Sequence, residues 1–121
     1  MGKWQLDAML DAALNYIGTN ATQIFVCSSE PQNYTEASST YALTSTEAVT
    51  FQAAENGDAS GRKITVDEEA DMSITASATA LHVALTSADT LLYVTTCTSQ
   101  ALTSGGTVTV PAWDIEIADA T

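Results

Sequence analysis

The sequence predicts a mainly β fold, a compact antiparallel β-sandwich or partly open β-barrel, with one N-terminal amphipathic α-helix over about residues 4–17. Three observations point there. Short runs in which apolar and polar residues alternate recur along the chain, and that period of two is the period of a strand with one buried face. Turn signals such as Asn56-Gly57 and Ser60-Gly61 punctuate the runs. Only the first stretch, WQLDAMLDAALNYIG, repeats its apolar residues at helical spacing. At 121 residues the chain fits one β-rich domain spanning residues 1–121, with a modest core.

In the helix, Trp4, Met9, Ala13 and Ile17, supported by Leu6, Leu10 and Leu14, form a broad apolar face opposite Asp7, Asp11 and Asn15. Gly18 reads as the C-terminal stop, because glycine enters the left-handed conformation at low cost. TQIFVC, residues 22–27, reads as a strand apolar on both faces and therefore covered on both. A polar loop with Pro31 follows, and Tyr41 and Leu43 close it as a short edge strand. Val49, Phe51 and Ala53 alternate as a one-faced strand.

Ile64 and Val66 begin the next strand, and the acidic turn Asp67-Glu68-Glu69-Ala70-Asp71 separates it from MSITASATA, where Met72, Ile74, Ala76, Ala78 and Ala80 share one face. Leu81, Val83 and Leu85 lie on the opposite parity, so a bend or bulge is expected between the two sets. The runs flanking Thr86-Ser87-Ala88-Asp89-Thr90 make a central hairpin. In TVTVPAWDIEI the phase changes at Pro111, which cannot donate to a ladder and so marks an edge or corner. Trp113 beyond it reads as a core closure residue.

The formal charge is −12, from 15 acidic and 3 basic residues. Such a balance repels nucleic acid and anionic membranes, so neither is an expected partner. Asp7 and Asp11 interrupt the amino terminus, which does not read as a signal peptide, and synthesis in the cytoplasm is expected. Cys27 and Cys97 read as two free core thiols rather than one bridge.

Reactive chemistry finds little footing. A nucleophile-based hydrolase needs a poised base, but His82, the sole histidine, lies within a strand and without a serine elbow, and reads as structural. No short zinc-ligand motif, calcium loop, glycine-rich fingerprint or P-loop occurs. No catalytic, cofactor-binding or metal-binding residue is assigned, and the protein is expected not to be an enzyme. Candidate protein-interface residues are Trp4, the loop tyrosines Tyr34 and Tyr41, and the clustered cations Arg62 and Lys63.

GDASGRKITV, the run ALHVALTSADTLLYVTTCTSQALTSGGTVTVPAWDIEI and the helix-to-strand opening together resemble small virion-associated proteins encoded among tailed-bacteriophage structural genes. Residues 79–117 also look like a β module of phage decoration and fibre proteins. The resemblance implies a non-enzymatic capsid decoration (cement) protein on the exterior of the virion, stabilising the lattice of the major capsid protein, with a trimer as one form of self-association. A tail or head-to-tail connector component, or a fibre-associated receptor-binding module, is the alternative.

Overall fold

A computed structural model describes residues 6–58 and 60–118. The chain is mainly β, with antiparallel sheets not closed into a barrel and one N-terminal helix. Helix α1 spans Asp7–Asn20. The strands are β1 (Gln23–Cys27), β2 (Glu47–Ala48), β3 (Glu55–Asn56), β4 (Arg62–Val66), β5 (Glu69–Ser73), β6 (Ala78–Thr86), β7 (Leu91–Leu102), β8 (Thr107–Val110) and β9 (Trp113–Ile117). They form a four-stranded sheet ordered β2-β1-β6-β7, a three-stranded sheet β3-β4-β9 and the pair β5-β8.

The expected helix over residues 4–17 is shifted: it begins at Asp7 after an extended Leu6 and continues past Gly18 to Asn20. Gly18 is therefore not the stop. Its role is close approach, since a Cβ there would lie 2.8 Å from Ile64 Cδ1 on β4. Termination falls at Ala21, whose extended backbone leaves the helix while its N–H donates to the Ile17 carbonyl. The buried stripe also differs from the expected one. Leu10, Leu14 and Ile17 are buried, whereas Leu6, Met9 and Ala13 face solvent.

β1 matches the reading of TQIFVC, with Ile24 through Cys27 all buried. One face contributes Ile24 and Val26 to the main core, and the other packs Phe25 and Cys27 with Ala37 and Ala84. The cover over that second face is the 28–42 loop, which carries an unpredicted wide helical turn, Glu36–Thr40, closed by the Tyr41 N–H on the Glu36 carbonyl. Ala42 bridges Cys27 and Thr44 bridges Ile74, so the expected edge strand is reduced to isolated contacts.

VTFQAA is not a strand. Glu47–Ala48 pairs with β1 in the first sheet, and three residues on Phe51 bridges Val66 in the second, so the segment is the corner that joins the two sheets. The acidic run is not a single turn either, because Glu69, Ala70 and Asp71 belong to β5. Asp71 adopts φ 55°, and the β5–β8 register slips between Glu69 and Met72, as a bulge requires. The alternating MSITASATA run breaks at 74–77 between β5 and β6, and that break lets the two strands serve different sheets.

The central hairpin forms as expected. Ser87 Oγ accepts from the Asp89 and Thr90 N–H groups, and the Ser87 N–H donates to the Thr90 carbonyl, which fixes the turn. The register is uneven: Ala80 faces Gln100 but His82 faces Thr96, so three residues of β7 oppose Leu81 alone. That bulge explains why Leu81 is 40% exposed although Val83 and Leu85 are buried. Pro111 divides β8 from β9, and β8 pairs with β5 whereas β9 pairs with β4.

Candidate functional site

Helix α1 is anchored on its inner side and apolar on its outer side. Leu10, Leu14 and Ile17 pack inward, and Arg62 on β4 locks the helix by donating Nε to Asp11 Oδ1 at 2.7 Å and Nη2 to Oδ2 at 3.2 Å. The remaining Arg62 donors reach Asn56 Oδ1 at 2.7 Å and the Ala54 carbonyl at 3.4 Å. The hydrogen bond to Asp11 raises the Arg62 pKa further. Outward, Met9 (61% exposed) and Tyr16 (63%) line up with Ala13 at steps of four and three, which places them on one face, and Leu6 (54%) is exposed just before the helix begins.

The neighbouring cation is also occupied. Lys63 Nζ donates to Asp58 Oδ1 at 2.7 Å and Asp114 Oδ2 at 3.3 Å, with Glu55 at 4.0 Å. These bonds, that to Asp58 first, hold the Lys63 pKa above its ordinary value. Asp114 is pulled below the carboxylate range by the Thr65 hydroxyl and then by Lys63. Asp67 is lowered by the hydrogen bonds from Gln52 and Thr50. Arg62 and Lys63, the two described cationic side chains, thus serve the fold, and the rest of the described surface charge is carboxylate.

Tyr34 and Tyr41 fold back onto their own chain. The Tyr34 hydroxyl and Thr86 Oγ1 both donate to Gln23 Oε1, each at 3.3 Å, and Tyr41 packs on the Phe25–Ala84 cluster. Both rings are half-buried. Trp4 lies outside the described residues. Of the five candidate interface residues, the structure groups Arg62 and Lys63 on β4 and sets Tyr34 and Tyr41 over the opposite face of the first sheet.

A second feature is a cleft of about 400 Å³ beside β7. Val26, Ala80 and Val83 form its floor, and Cys97, Val110 and Trp113 stand in its walls. No charged residue lines it. Trp113 packs on Tyr93 with ring centroids 5.8 Å apart and planes tilted by 32°. The tryptophan is half-buried: it packs against the main core, as expected of a closure residue, and also stands at the cleft wall. Its indole N–H is buried without an acceptor among the described residues, and His82 Nδ1 is likewise buried without a hydrogen-bond partner there.

Both cysteines are free. Burial, and next the charge of Cys97, push the Cys27 thiol from 9.0 up to about 12, and burial raises Cys97 as well. Cys27 Sγ donates to the Ala37 carbonyl at 3.5 Å. A thiolate nucleophile is disfavoured at both positions. Among the described residues no three metal-ligating side chains converge.

The apolar outer face of α1 and the cleft were both missed by sequence reasoning. Apolar residues at positions 6, 9, 10, 13, 14, 16 and 17 exceed what one buried stripe can take, and that excess was the available signal for the first. The phase break at Pro111 hinted at the second. Comparison of the chain with protein-family models, with curated proteins and with solved structures gave no match in any of the three.

Proposed function

We propose that this protein is a non-enzymatic virion structural protein, a capsid decoration protein that binds and stabilises the lattice of the major capsid protein through the outer face of α1. The observation that carries the reading is the pair Met9 and Tyr16, exposed on a helix that is itself pinned to the sheet by Arg62 and Asp11, with exposed Leu6 at its start. A rigid apolar row on a strongly acidic molecule suits a groove that is apolar at its centre and basic at its rim. Repeated attachment over a lattice adds avidity, so each contact can stay small. The likeness of residues 79–117 to phage decoration and fibre modules supports the same setting.

Cryo-EM of virions containing the protein tests the assignment. Regular density at the local three-fold or quasi-three-fold positions of the capsid is expected, contacted by the α1 face. Density confined to the portal or tail would overturn it in favour of a connector component. Saturable binding to host glycans would favour the receptor-binding alternative, and turnover abolished by His82→Ala with the fold retained would overturn the non-enzymatic reading.

A further inference from the structure

We propose that β7 is a self-association edge: two copies of this chain pair β7 with β7 about a two-fold axis, continuing the four-stranded sheet across the contact and covering the cleft beside it. The proposal concerns the purified protein and does not depend on the capsid assignment. The sheet edges of the molecule differ. An edge strand offers unpaired N–H and C=O groups, and proteins that stay apart blunt such edges with short length, charge or proline.

The other edges here are blunted. β2 is two residues long and carries Glu47, β3 is two residues long and carries Glu55, β5 carries Glu69 and Asp71, and β9 carries Asp114 and Glu116. β8 is four residues long and is followed by Pro111. β7 is the exception. It runs for 12 residues, LLYVTTCTSQAL, without a charge or a proline, and among the described residues β6 is its sole ladder partner. At its start Leu91, Leu92, Tyr93 and Val94 are only half-buried, so apolar surface accompanies the free backbone edge.

Charge identifies the occupant. With 15 carboxylates in the chain, the strip formed by β7 and the uncharged cleft is a surface where two copies can meet without setting carboxylate against carboxylate. A basic partner would call for carboxylates along that strip, and there are none. A strand paired with itself about a two-fold axis is antiparallel, so the contact is self-complementary and closes at two copies. The bulge opposite Leu81 and a second register shift between Leu85 and Thr86 leave residues 93–96 as the regular stretch in the first half of β7. Each copy's approach is opposed by the other's net charge of −12, and salt screens that opposition.

Sedimentation velocity of the full chain at about 100 µM, in about 0.05 M and about 0.5 M NaCl, tests this. A species of twice the 12.6 kDa chain mass is expected, with tighter association in the higher salt. Thr96→Glu with Thr98→Glu, both at exposed positions, should weaken the dimer by about tenfold or more, because a charged edge strand resists pairing and the added carboxylates face an already acidic copy. Met9→Ser with Tyr16→Ser should leave it unchanged. If the glutamate variant does not fold, amide exchange in the unsubstituted protein decides: protection within residues 93–96 that grows with protein concentration supports the pairing, and protection independent of concentration overturns it. A monomer at both salts, a trimer, a dimer loosened by salt, or a dimer lost with the Met9 and Tyr16 changes and kept with the Thr96 and Thr98 changes each overturns the proposal.

Discussion

Single residues in this protein carry two kinds of stress, backbone geometry and unmet polarity. Gly61 sits at φ 70°, and a Cβ there would lie 1.8 Å from the Ile117 carbonyl oxygen. Gly61→Ala is expected to destabilise by more than about 2 kcal/mol, as left-handed strain is compounded by the clash, and urea unfolding measures it. Trp113→Phe should cost less than about 1.5 kcal/mol, because the lost ring volume is offset by removing a buried donor that has no acceptor. Cys27 sets an alkaline limit. Its thiol keeps a proton in the folded chain that the unfolded chain sheds, so stability falls as pH rises from about 9 towards about 12 and is unaffected below that window. Urea midpoints across that range should fall less steeply in Cys27→Ala than in the unsubstituted protein.

At the level of elements, α1 divides its work between two faces. Leu14, at 2% exposure, should cost about 2–5 kcal/mol when cut to Ala. Met9→Ser and Tyr16→Ser should each change stability by no more than about 0.5 kcal/mol while weakening particle binding, which pull-down with purified particles would register. The strands were legible in the sequence where alternation was backed by a local partner, as in the hairpin around Ser87 and in the break at Pro111. They were illegible where pairing is non-local. Nothing near Val49 or Phe51 tells that this segment leaves one sheet for another, because that depends on β1 and β4 lying on either side of it. Gly18 misled for a related reason. Its lack of a side chain answers to Ile64, 46 residues along the chain, rather than to the local end of the helix. Of the candidate interface residues, Arg62 and Lys63 read as a cluster of cations, but their partners Asp11 and Asp114 are each 51 residues away, so which carboxylates engage them was not legible locally.

Across the whole molecule, two described cations against an excess of carboxylates make self-repulsion the dominant long-range electrostatic effect. Raising NaCl from about 0.02 M to about 0.5 M should therefore raise the melting temperature, although it weakens the Arg62–Asp11 and Lys63–Asp58 pairs; differential scanning calorimetry reads the sign. The pairing of β1 with β6 has a consequence in time as well as in space. β1 is complete at Cys27, yet its partner residues 82–86 emerge roughly 60 residues later, a wait of about 3–12 s at ordinary synthesis rates. During that interval a strand apolar on both faces has only the two-residue β2 to pair with. The β6–β7 hairpin, by contrast, closes over a short turn and can form as soon as it is made. Folding is thus expected to run backwards along the chain, with the late hairpin serving as the template onto which the early strand is drawn. Nascent chains stalled before residue 82 should remain protease-sensitive at β1 and bound by chaperones, and those that include residue 102 should not.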